Sequence, residues 1–167
     1  MATRQTRQPV LRRMCGTMEC HHRLVEQTPD FRRRLIELEH DCTERMAARQ
    51  PLRVGITTIP VVVHVVYRTR RENITTAQVS SQVDALNRDF RAQNADRSRV
   101  PAVWTSLVTD ARVQFALATT DPQGNTTSGI RRIRTTRLFF TTDDSVKSRA
   151  TGGADPWPTD RYLNIWV

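Results

Sequence analysis

Six of the seven cysteine and histidine side chains, the residues best suited to bind a metal or act as a nucleophile, fall between Cys15 and Cys42; His64 is the seventh. As a self-contained zinc site they are badly arranged. Cys20, His21 and His22 are consecutive and diverge around a helix, while His40 and Cys42, two apart, point to different faces. A structural zinc module wants two pairs of ligands spaced about 2–4 residues apart, and that pattern is missing. Cys15 differs from the others. It follows Arg12-Arg13-Met14 and precedes Gly16, so guanidinium groups favour its thiolate and the glycine lets the backbone approach another surface closely. A thiolate in such a basic stretch is a ready ligand for a metal held elsewhere. With three cysteines at least one thiol stays out of any disulfide, and with none after Cys42 disulfides do not hold the body of the chain.

Beyond residue 42 the chemistry thins out. His64 lies within a run of valines and faces the same way as Val62 and Val66, which predicts a hydrogen-bonded core histidine rather than a base or ligand. The acid pairs Asp143-Asp144 and Asp155 with Asp160 read as caps and turns, with no catalytic role. Asn73-Ile74-Thr75 and Asn125-Thr126-Thr127 are glycosylation sequons, meaningful only in a secreted eukaryotic chain. No glycine-rich phosphate loop and no supported Ser/His/Asp triad is present.

The elements that must position these groups follow from pattern. Residues 1–14 are polar and Arg-rich and predict a mobile arm. Thr17 is a candidate N-cap for a short helix to about residue 27. Thr28-Pro29-Asp30 starts a second, with proline at the first helical position and a carboxylate in the first turn. Phe31, Leu35, Leu38 and Cys42 give that helix one apolar stripe over about 29–49, ended by Pro51. Residues 50–58 read as a linker, flanked by Arg49 and containing Arg53, both expected to be open to proteolysis. Ile59 to Tyr67 is apolar on both alternating faces and predicts a central strand. Thr75 and Gln78 have capping-box spacing before a helix to about residue 94 that carries Val79, Val83, Leu86 and Phe90 on one face. Residues 112–119 alternate as a half-buried strand, 121–125 form a turn, 130–134 a short strand, 143–149 a short helix and 162–167 a final strand. The fold class is therefore α/β (α+β): a twisted sheet of three or four strands backed by one helix, preceded by a helical appendage. No second long helix remains for the other face of the sheet, so one face is expected to be open and the chain to be part of a larger domain.

Charge and hydropathy exclude some partners. The 167 residues carry 26 Lys+Arg against 17 Asp+Glu, a formal charge of +9. All but Lys147 of the cations are arginine, spread along the chain, and aromatics make up 6%, so neither a phosphate-tracking stripe nor a base-stacking platform is predicted. No window approaches the ~18 consecutive apolar residues of a membrane span. Met1 to Arg13 is basic but is not followed by the apolar run of a signal peptide. No specific nucleic-acid partner and no membrane partner is expected, and no oligomeric state is assigned.

Taken together, Cys15-Gly16-Thr17 after Arg12-Arg13, the helix start Pro29-Asp30-Phe31-Arg32-Arg33-Arg34, the strand Ile59 to Tyr67, the helix segment Gln82 to Phe90 and the closing Trp157-Pro158-Thr159-Asp160-Arg161-Tyr162-Leu163-Asn164-Ile165-Trp166-Val167 resemble the pappalysin family of metzincin zinc metalloproteases, in its ulilysin-like branch. The resemblance runs from about residue 12 to 167. It implies a secreted, extracellular endopeptidase made as a zymogen and acting on protein or peptide substrates. Residues 1–53 would be the arm and helical pro-segment, and 54–167 the N-terminal part of the catalytic domain in a metzincin-like upper subdomain. Cys15 would be the cysteine switch, a latency ligand in the zinc's open position, where it displaces the attacking water. Cleavage at Arg49 or Arg53 would then release the site.

One departure matters for activity. Metzincins hold zinc with H-E-x-x-H-x-x-G-x-x-H, whereas the histidines here are His21, His22, His40 and His64, none of them in an H-E pair. The chain alone is therefore expected to bind no catalytic zinc, to need no cofactor and to hydrolyse no peptide. Two alternatives stand beside this reading: a non-enzymatic, pro-segment-like inhibitor of a related protease, and a basic nucleic-acid binder.

Overall fold

Thr57–Tyr67 forms β1, the central strand of the fold, and its burial explains its sequence. Val61, Val62 and Val65 are fully buried and Val63 nearly so. Each contributes roughly 1.5 kcal/mol by leaving water. The molecule is described by a computed structural model that covers residues 15–48 and 54–167. The arm expected over 1–14 and the linker residues 49–53 lie outside the described residues. The chain divides into two units, Met1–Pro51 and Leu52–Val167.

In the larger unit β1 pairs in parallel with β2 (Val113–Leu117), β3 (Ile130–Arg134) and β4 (Leu163–Trp166), giving a four-stranded parallel sheet. β2 aligns with Thr57–Val61, β3 with Val63–Tyr67 and β4 with Val61–His64. In a parallel ladder the N–H and C=O of one residue point to the same side, and the next residue's point to the other. Thr57 and Val63 donate to the carbonyls of Arg112 and Gly129, and Val61 and Tyr67 accept from Ala118 and Thr135, whereas His64 and Val66 exchange bonds with Val167. β2 and β3 therefore lie end to end along one edge of β1, and β4 occupies the other edge. The chain leaves that shared edge after Ala118, turns through Asp121–Asn125 and returns at Gly129. Gly129 is required there, since at φ +71° a Cβ would sit 2.7 Å from the Ala118 nitrogen and 2.9 Å from its carbonyl oxygen.

The odd-numbered face of β1 packs on the third helix. α1 (Thr17–Gln27) and α2 (Pro29–Ala47) belong to the smaller unit, and α3 (Thr76–Phe90) backs the sheet. Val79 and Val83 of α3 join Val61, Val63, Val65 and Phe115 in the core cluster, with Leu86 at its margin. The capping box is present: Thr75 Oγ1 accepts from the Gln78 N–H, and Gln78 Oε1 accepts from the Thr75 N–H. α3 ends at Phe90 rather than near residue 94, because Ala92 takes a positive φ of 51° that no helix continues through. The span expected as a helix over 143–149 is instead two 3-10 turns, Ser145–Lys147 and Arg149–Thr151. Two further 3-10 turns, Ala95–Arg99 and Ala102–Leu107, were not anticipated, since five or six residues show no helical period.

The expectation of an open sheet face does not hold at the centre of β1. His64 and Val62, on the face away from α3, are 0% exposed. That face is closed by the irregular segment around Ala154–Trp157, which sequence periodicity could not place.

In the smaller unit α1 and α2 form a helical hairpin about Thr28. The Arg32 guanidinium donates to the Val25 carbonyl at 3.2 and 2.9 Å, and His21 meets the Phe31 ring edge-on at 6.0 Å. Neither helix buries a residue fully: along the stripe Phe31 and Leu35 are half-buried, while Leu38 and Cys42 are exposed.

Candidate functional site

Cys15 sits at the entry of α1, one residue before the N-cap. Gly16 occupies that cap and Thr17, expected to cap, is the first helical residue. The reason is local: the Thr17 hydroxyl is engaged by Cys15, whose Sγ lies 3.2 Å from Thr17 Oγ1. The thiol is exposed, and the hydroxyl and backbone N–H of Thr17 hold its pKa below the usual 9.0. The causes visible in the structure are thus the Thr17 hydroxyl first and, second, the N–H at the helix start, where orphan N–H groups favour an anion. Arg12 and Arg13, to which the sequence reading assigned that effect, lie outside the described residues. So do Arg49 and Arg53.

The remaining sulfur and imidazole groups do not assemble. None of the three cysteines forms a disulfide. His21 and His22 are 6.1 Å apart by ring centroid and His40 pairs with Glu44 at 3.8 Å. Among the described residues, the one group with metal-compatible proximity is His40, Asp41 and Glu44, all exposed on α2. A catalytic zinc bound by three histidines does not fit the residues of this chain, whose four histidines do not form the H-E-x-x-H-x-x-G-x-x-H set.

A second constellation lies in the larger unit around His64. Because the register sets His64 beside Arg131 on β3 and Trp166 on β4, all three side chains share a face. Arg131 Nη1 lies 3.3 Å from His64 Nδ1 and also donates to the Asp155 carbonyl at 3.0 Å. A guanidinium only donates, so Nδ1 accepts and the ring proton is on Nε2, which donates to Asn164 Oδ1 at 2.9 Å. Asn164 goes on to accept from the Trp157 N–H at 2.7 Å and to donate to the Trp157 carbonyl at 3.0 Å. Trp166 stacks on the imidazole at 4.9 Å and donates from Nε1 to the Ala154 carbonyl. Burial, opposed by the Asn164 bond and reinforced by the nearby Arg131 charge, lowers the His64 pKa below 6.5. The hydrogen-bonded core histidine expected from sequence is the one found; its partners, 67 and 100 residues distant, were invisible to local pattern.

The acids behave as caps and turns. Asp143 accepts from the Ser145 N–H and hydroxyl, and these bonds bring its pKa down to about 2. Asp155 Oδ1 accepts from the Arg149 N–H, and Asp121 from the N–H groups of Gln123 and Asn125. Arg132 was missed: its guanidinium ties β3 to the entry of α3 through Asn73 Oδ1 and the Ile74 carbonyl at 2.6 Å. Among the described residues, no helix is long and apolar enough to cross a membrane.

No family model matches the sequence, and no curated protein matches it. Solved structures do. A mutant of Tannerella forsythia promirolysin is 38% identical over 92% of this chain and 50% of its own, with a TM-score of 0.75. Mature mirolysin of the same organism, in complex with a cleaved peptide, is 46% identical over 68% of this chain and 43% of its own, with a TM-score of 0.66. Mirolysin in complex with a small compound is 47% identical over 67% and 42%, with a TM-score of 0.65. The chain thus spans half or less of the length of the proteins it matches.

Proposed function

Because this chain belongs to the pappalysin family of metzincins, we propose that it comprises the pro-segment, residues 1–53, and the first part of the catalytic domain, residues 54–167, of a secreted zinc metalloendopeptidase zymogen. One observation carries the reading. The matched share of this chain rises from 68% against mature mirolysin, and 67% against mirolysin with a bound compound, to 92% against promirolysin, a difference of about a quarter of its residues. Residues 54–167 make up about two thirds of the sequence, and the segment before them accounts for the rest. The division of the chain between Pro51 and Leu52, two residues before that boundary, supports the reading.

In this reading Cys15 is the latency ligand, an accessible sulfur with an acidified thiol at the start of α1. It would complete the coordination of a zinc whose histidines are supplied by sequence other than these 167 residues. Arg49 and Arg53 are the proposed activation sites, protein or peptide the substrate, and the extracellular space the site of action. The 167-residue chain by itself hydrolyses no peptide, since it has neither the zinc histidines nor the glutamate base.

The test is latency in the zymogen expressed from the whole reading frame. Cys15→Ser is expected to cleave a peptide substrate without prior processing, while the parent stays silent until cut near Arg49 or Arg53. A Cys15→Ser zymogen as silent as the parent would overturn the assignment of Cys15.

A further inference from the structure

The His64 constellation does no work in that function, yet it is the most buried polar group in the larger unit and its bonds all lead to one place. Arg131 and Asn164 grip the imidazole from opposite sides, and both continue to the irregular segment, Arg131 to the Asp155 carbonyl and Asn164 to both backbone groups of Trp157. Trp166 adds a third link, to Ala154. One of these links, through Arg131 to the Asp155 carbonyl, depends on His64 Nδ1 carrying no proton.

We infer that His64 is an acid-sensitive latch: a proton added at Nδ1 turns the acceptor of the Arg131 bond into a donor facing a cation, breaks that bond while the Nε2–Asn164 bond stays, and, by driving the Arg131 guanidinium away from the Asp155 carbonyl, loosens residues 153–158 from β3. The charged group in contact with the ring is a cation. From β3 comes Arg131. From the turns before the segment comes Lys147, whose Nζ lies 5.9 Å from the centre of the Trp166 ring stacked on His64 and is ion-paired with Asp144. β4 presents Asn164 and Trp166, neither of which titrates in this range, and β1 itself offers no acid. The nearest carboxylate along the segment, Asp155, is turned to the Arg149 N–H and presents its carbonyl to Arg131. With the Arg131 guanidinium against Nδ1 and water excluded, imidazolium is better accommodated once that guanidinium has moved away and the segment has loosened. The sign follows: a histidine whose pKa is depressed in the folded state contributes closure that is complete above its ordinary 6.5 and is lost as pH falls through the folded value.

Amide hydrogen exchange of the 167-residue chain, followed by mass spectrometry from about pH 7.5 to 4.5 and corrected for intrinsic exchange, reads the latch directly. Gly153 and Ala154 donate their N–H to the Ser148 and Val146 carbonyls of the preceding turns, and Trp157 donates its own to Asn164 Oδ1 on β4. Their protection is expected to fall roughly tenfold per pH unit below the midpoint, as for one added proton, while that of α3 and β1 persists. His64→Gln keeps an N–H for Asn164 but has no site for a proton, and is expected to abolish the acid loss. Persistence of the loss in that variant, or simultaneous loss of protection in α3, would overturn the inference. Should His64→Gln fail to fold, the imidazole resonances of the parent decide: they are expected to titrate with the same midpoint as segment opening, and a ring still neutral when the segment has opened refutes the latch.

Discussion

His64 Nε2 and Asn164 Oδ1, a hundred residues apart in sequence, stand 2.9 Å apart and join β1 to β4 by a side-chain bond on top of the backbone ladder. Asn164 is the busier partner, because the same amide also holds Trp157 through its N–H and its carbonyl.

Replacing Asn164 by alanine therefore strands a buried imidazole N–H as well as releasing the segment. A group left without its partner in the interior costs about 1–3 kcal/mol, and here several are affected. Asn164→Ala is expected to lose about 2–3 kcal/mol in a urea titration, with an unchanged slope. A loss below about 0.5 kcal/mol would mean that water replaces the amide without penalty.

Two glycines with similar backbone angles separate sterics from conformation. Gly124 has φ +89° and open space where a Cβ would stand, whereas Gly129 has φ +71° and the Ala118 backbone at 2.7 Å. Gly124→Ala should cost on the order of 1 kcal/mol, the penalty of a left-handed alanine. Gly129→Ala should cost clearly more, since β2 and β3 must part to admit the methyl group. Equal losses in thermal unfolding would contradict the end-to-end placement of these strands on one edge.

Asp143, with a pKa of about 2, titrates well below its ordinary 3.8. A carboxyl depressed in the folded state favours folding above the ordinary value, and that support is lost as pH falls from about 3.8 toward about 2. Asp143→Asn should thus be less stable than the parent at pH 6 and converge on it only as pH falls toward about 2. A gap between the two that does not narrow on acidification would show that the Asp143 bonds do not depend on its charge.

At Cys15 the relevant quantity is the thiolate fraction near neutral pH. The parent is expected to react with iodoacetamide with a midpoint below 9.0, and Thr17→Val, which removes the hydroxyl beside the sulfur, should shift that midpoint upward. An unchanged midpoint would assign the acidification to the helix start alone.

What the sequence disclosed was whatever local spacing encodes. The capping box at Thr75 and Gln78, the central valine strand, the turn at 121–125 and the inward direction of His64 all follow from neighbours within a few residues. What it concealed came from long-range register. The tandem placement of β2 and β3 depends on a close approach at Gly129 and Ala118 that no periodicity marks. The closing of the second sheet face depends on Arg131, Asn164, Trp157 and Ala154, brought together from β3, β4 and the segment between them. The N-cap at Gly16 in place of Thr17 shows a smaller effect of the same kind, a hydroxyl diverted from its helix by a neighbouring sulfur. For the functional reading, the ordered set of segments from Cys15 to Trp166 carried more information than any single motif, because each segment alone is compatible with many folds.

The most direct test of the account is to read the coding DNA beyond the Val167 codon. If these residues are a pro-segment and the first part of a metzincin catalytic domain, an in-frame H-E-x-x-H-x-x-G-x-x-H is predicted within about a hundred codons. A stop codon there, or an open frame of that length without the motif, would contradict it.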